Sequence, residues 1–184
     1  MALAGLWRYR KWRLVNSPLR EDVAQSIFSQ WQNNGVASTT EDAEIWGSNG
    51  SNPPSASSNG LAYGGGYSMI AYSSNTDARV NVTNTKTGVL FDANGPKPYG
   101  LYVTSPFKNG AGSINMNSYS ENTTLTSRGK LWTGTYSVTN IQSGKYSLVA
   151  NPYASVVDFD GAMANTGSNG LENMFWIWDP KLTG

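Results

Sequence analysis

Asp158 and Asp160 lie two residues apart, with Glu172 further along the chain. On a strand, positions i and i+2 share a face. Such a pair could serve a glycosidase, whose two carboxyl groups stand roughly 5–10 Å apart. Nothing near them supplies a sugar clamp, and the polar end of a strand explains the same letters. Calcium suits the segment better. Hard cations take carboxylate and amide oxygens from loops, and Asp158, Asp160 and Asn165 or Asn169 offer both around the 161–170 loop. The spacing is not that of an EF-hand, so no cofactor is expected, with a structural calcium ion as the alternative. Aromatic residues form the second constellation. Trp46, Tyr63, Tyr67 and Tyr72 flank a polar loop, residues 47–60. Their rings could stack on sugar rings, with Asn, Asp and Gln as polar partners, although most aromatic rings in a chain this poor in aliphatics must be core.

Two further patterns are weaker. Residues 7–13 (WRYRKWR) interleave cations and aromatics as single-strand nucleic-acid sites do. A binding groove needs charge from several elements, however, and the net charge is only +1. An edge strand guarded by Lys and Arg accounts for the pattern, and no nucleic-acid partner is expected. Gly64-Gly65-Gly66 precedes a strand and no Lys-Ser/Thr follows, so it reads as a tight turn or bulge and not a phosphate loop.

The chain has no His and no Cys. Imidazole bases, His-ligated zinc, thiol nucleophiles and disulfides are therefore excluded. The expectation is a protein that is not an enzyme. No apolar run approaches the roughly 20 residues needed to span a bilayer, so no membrane insertion is expected. Met1–Leu6 is too short for a signal-peptide core, so an export signal would lie outside this sequence.

The elements that must position these residues follow from composition and periodicity. Gly, Ser, Thr and Asn make up 76 of 184 residues while charged residues reach only 14%, which suits short strands joined by polar turns. The length fits a single domain, residues 1–184. Strands are expected at 7–16, 44–46, 67–72, 79–83, 89–91, 99–104, 113–116, 131–139, 146–150 and 175–178. About ten strands at such intervals predict an all-β, sandwich-like fold of jelly-roll type. One covering helix is expected from Glu21 to Gln32, where Val23, Ile27 and Trp31 recur every four residues. Three segments end alike: 12–19 (WRLVNSPL), 101–107 (LYVTSPF) and 146–153 (YSLVANPY). In each, Pro ends an apolar strand and the next side chain folds back on the core.

Residues 12–18 (WRLVNSP), 64–67 (GGGY), 146–160 (YSLVANPYASVVDFD) and 175–180 (FWIWDP) also carry a resemblance. In this order they resemble a β-rich module of large secreted and cell-surface proteins of gliding-type Gram-negative bacteria. Ala150 stands where the module usually has Gly, and Ala154 where it has a second Pro. The resemblance implies an adhesin-like or stalk part of an exported protein, sent out by the type IX route, with no catalytic residues. It also implies a location outside the cell or on its surface. Such modules continue with a further strand, so this chain is expected to be a piece of a larger protein. Its partners would be other copies or neighbouring domains of the parent protein, and possible polysaccharide contact is the alternative. Trp176 and Trp178 alternate with Phe175 and Ile177, so an apolar edge is expected near residues 175–180, open to a partner.

Overall fold

The computed structural model describes residues 11–20, 26–32, 43–51, 57–92, 94–103, 125–139, 141–165, 171–172 and 174–177. Among the described residues ten short strands form, in chain order: β1 (Lys11–Val15), β2 (Leu19–Arg20), β3 (Trp46–Gly47), β4 (Ala62–Tyr63), β5 (Met69–Ser73), β6 (Ala78–Asn81), β7 (Phe91–Asp92), β8 (Gly95–Pro96), β9 (Tyr99–Val103) and β10 (Lys130–Leu131). The fold is all-β. One antiparallel sheet runs β1-β9-β5-β6, and three two-stranded ribbons pair β10 with β2, β3 with β4 and β7 with β8. Only the β3–β4 ribbon is parallel. A second sheet of comparable size, as a sandwich would have, does not occur among the described residues.

Register divides the main sheet into two faces, since alternate side chains point to opposite sides. Met69 pairs with Leu101 and Val15 with Tyr99, and these turn to the core. The core is completed by Ile27, Trp31, Ala43, Ile45, Leu61 and Leu90, drawn from turns and ribbons. Trp12–Tyr102 and Leu14–Gly100–Ile70 occupy the opposite face.

Four expectations are corrected. The covering helix does not run through from Glu21. Ile27 and Phe28 donate their amides to Gly88 O and Thr85 O (both 2.9 Å), so tertiary contacts take the donors that a continuing helix would use internally. What forms is one turn of π-helix, Phe28–Gln32, started by Ser26, whose Oγ accepts from the Ser29 amide at 3.0 Å. Val23 lies outside the described residues. The apolar spacing nonetheless marks the buried side, since Ile27 and Trp31 are fully enclosed.

Residues 146–150 form no strand. Polar side chains fix this stretch instead: Lys145 Nζ donates to Asn75 O, Tyr146 N donates to Asp77 Oδ1 (3.3 Å) and Asn16 Nδ2 donates to Asn151 O (2.7 Å). The described residues 175–177 are likewise outside any strand. Residues 159–165 form a short helix, α1 (Phe159–Asn165), where a strand end and a loop were expected. Asp158 nucleates it by accepting the Gly161 amide at 3.0 Å, a cap stronger than the local strand pattern. The strand expected at 113–116 lies outside the described residues.

Tyr99 gives the core a pH dependence. Burial, then the Asp92 charge, pushes its phenol up to about 12 from 10.0, and its hydroxyl donates to Val89 O at 2.6 Å. The folded value lies above the unfolded one, so this contribution is complete below pH 10 and is lost as pH rises towards 12. The loss should be on the order of 2–3 kcal/mol. Urea unfolding on both sides of that window should show it, and Tyr99→Phe should flatten it.

Candidate functional site

The sheet face turned away from the core carries a group of aromatic residues. Trp12 on β1 stands opposite Tyr102 on β9, with ring centroids 5.6 Å apart and planes inclined at 57°. Tyr102 lies 6.4 Å from Trp46, inclined at 35°. Three partly exposed rings thus form a row across strand ends. Trp46 is fixed there by its backbone: its amide donates to Ser68 Oγ (3.0 Å), and its carbonyl accepts from Ser68 N (3.1 Å). Ser68 O in turn accepts from Tyr102 N at 2.7 Å, so β9 and β3 flank one residue.

The Trp46 side chain packs against Gly64, where a β-carbon would fall 2.4 Å from Cε3 and 3.0 Å from Cβ and Cδ2. Close approach of ring to backbone is what requires glycine at 64. Beyond it, Gly65 and Gly66 are exposed, with open space above each. The triple glycine is a shelf beside an aromatic ring. Trp46 Nε1 is buried and donates to no protein group, so stacking holds the ring. Trp46→Phe should therefore change stability by less than about 1.5 kcal/mol, because lost area is offset by removal of an orphan donor. Thermal unfolding checks this.

The sequence-derived aromatic candidates separate into two places. Trp46 is in the row. Tyr63 ends β4, is 60% exposed, and adjoins the shelf in sequence. Tyr67 packs partly on the core and its hydroxyl donates to Asn49 Oδ1 at 3.2 Å, closing the shelf's far end. Tyr72 is elsewhere, at the β5–β6 turn, where its hydroxyl donates to the Asp77 carboxylate. That hydrogen bond, with slight desolvation, raises its phenol above the ordinary value. Trp12 and Tyr102 were missed as site residues. Their signal was there: each sits two positions from a residue of the same face, Leu14 and Gly100, in segments read only as strands.

The carboxylates are placed differently. Asp158 caps α1, Asp160 stands one residue into the helix, and Asn165 ends it. Among the described residues no cluster of three or more His, Cys, Asp or Glu side chains could hold a metal ion. β1 is an edge strand of the described sheet, in keeping with the charged-edge reading of its cations.

A second exposed surface lies in the C-terminal part. Trp176 is 72% exposed, Ile177 78% and Val156 97%, with Met174 and Phe175 also open. Phe175 stacks on Phe159 of α1 at 4.5 Å, which ties this segment to the helix. Trp178 lies outside the described residues. No helix among the described residues is long and apolar enough to cross a membrane. No family model, curated protein or solved structure matches this chain.

Proposed function

We propose that the protein is a non-catalytic extracellular module with a structural and adhesive role, which assembles with further copies of itself. The observation that carries this reading is the run of open apolar side chains Met174, Phe175, Trp176 and Ile177. Exposed apolar surface of this kind marks interaction sites in soluble domains. The sequence resemblance to modules of exported bacterial proteins supports the location.

Charge indicates the occupant. Residues 146–180 hold four carboxylates (Asp158, Asp160, Glu172 and Asp179) and no Lys or Arg. Residues 1–20 hold five cations (Arg8, Arg10, Lys11, Arg13 and Arg20) and no carboxylate. The basic segment includes β1, the end strand of the described sheet. An acidic, apolar tail segment complements a basic strand edge on a second copy. Such a contact is head-to-tail, so it builds chains or rings of modules and not two-fold dimers.

Sedimentation velocity across protein concentration tests the reading. Species should grow with concentration and shrink with added salt, since exposed charge pairs are screened. Trp176→Asp should return the protein to monomers without changing its unfolding temperature, because the side chain is outside the core. A wild-type protein that stays monomeric throughout would overturn the proposal.

A further inference from the structure

We infer that the row Trp12–Tyr102–Trp46, continued by the Gly64–Gly66 shelf, binds a neutral polysaccharide chain. Three properties of the face point to that chemistry. The first is shape. Successive centroids lie 5.6 and 6.4 Å apart, and the planes turn from ring to ring by 57° and 35°. Rings so inclined follow a twisted linear chain and do not make one flat plate. The second is access. Trp46 packs its Cε3 side against Gly64, and the neighbouring Gly65 and Gly66 carry no side chain and have open space above them.

The third property is charge. The register places Trp12, Leu14, Gly100, Tyr102 and Ile70 on this face, and Ser68 lies between Tyr102 and Trp46. None is ionisable near neutral pH except as a tyrosine hydroxyl. Aromatic faces also stack nucleobases, but such sites pair their rings with cations along the backbone. Register also puts Arg79, opposite Tyr72, on this face, but at the other end of β5 from Ser68. A row of rings with no cation among its own members suits a ligand with apolar ring faces and no charge. Sugar rings present C–H groups on their faces and hydroxyls at their rims. Tyr63, exposed and next to Gly64 in the chain, and the exposed Asn49, which accepts from the Tyr67 hydroxyl, offer polar groups for those hydroxyls. The row uses other side chains than the C-terminal assembly surface, but Trp12 shares β1 with the basic edge that receives that surface, so shifts at Trp46, Gly65 and Gly66 separate this inference from the assembly reading.

The test uses the full chain and soluble hexasaccharides of β-linked glucose, xylose and mannose, with an uncharged polyethylene glycol and a single-stranded DNA oligonucleotide alongside. Titration is followed by amide and indole chemical shifts. At least one hexasaccharide should bind, with the largest shifts at Trp46, Tyr102, Gly65 and Gly66. Tyr102→Ala should weaken that binding by about tenfold, the loss of one stacked ring. Trp46→Phe, which keeps a ring on Gly64, should weaken it less. The wild-type shift map stands whether or not the variants fold. Binding of no hexasaccharide overturns the inference. So does binding mapped to other residues, or preference for the oligonucleotide at these rings.

Discussion

Trp31→Ala is expected to destabilise the fold by about 3–5 kcal/mol, the range for removing a large buried aromatic side chain. Trp31 is 1% exposed. Its ring meets Tyr99 edge-on with centroids 6.4 Å apart, and Nε1 donates to Ser127 Oγ at 3.0 Å. Truncation would leave a void between the π turn and β9 and an unpaired hydroxyl at Ser127. The backbone would suffer too, because Trp31 O accepts the Ala43 amide at 2.9 Å and holds the entry to Ile45. Chemical denaturation of both proteins gives the difference directly. A loss below about 1 kcal/mol would show that the turn is not part of the core.

Gly60→Ala should cost about 2–4 kcal/mol, although it adds one methyl group in a segment that reads as polar loop. Two effects add. Gly60 has φ of 76°, which L side chains rarely adopt. A β-carbon there would also fall 2.5 Å from Thr85 Oγ1 and 2.8 Å from the Phe28 ring. Neither neighbour can retreat easily. Thr85 donates both its amide and its hydroxyl to Asn59 O (2.7 and 3.2 Å), and Gly60 O accepts from Gln32 Nε2 at 2.9 Å. Asn59 also caps the Leu61 amide with its Oδ1 at 3.0 Å. The Asn59–Gly60 corner thus links the π turn, the 84–88 turn and β4. Gly65→Ala, in open space, is the matched control and should be nearly neutral. Equal costs at both positions would remove the argument from close contact.

How much of this was legible in the sequence depends on the kind of signal. Class was legible. Few charges, many turn formers and period-two apolar runs left no alternative to short strands, and seven of the observed strands fall on or beside expected segments, from β1 at residues 11–15 to β10 at 130–131. Chemistry was partly legible. Absence of His and Cys is a property of composition that no folding can change. The burial of Ile27 and Trp31 was legible for the same reason, because apolar spacing states which side is buried whatever the helix type.

Tertiary structure decided the rest. The helix that spacing predicts from Glu21 gave way to one π turn because Gly88 and Thr85, some sixty residues along the chain, supply the acceptors for Ile27 and Phe28. At Asp158, one side-chain oxygen on the Gly161 amide turned an expected strand end into α1. Residues 146–150 have the letters of a strand but are fastened through Asn75, Asp77 and Asn16. The candidate site shows the same division. Aromatic type marked Trp46, Tyr63 and Tyr67, while only pairing of β1 with β9 and the Ser68 bridge to β3 could bring Trp12, Tyr102 and Trp46 into one row. Composition and periodicity are local and survive any fold. Which strand ends lie side by side is fixed by hydrogen bonds between residues far apart in the chain, and local pattern holds no record of them.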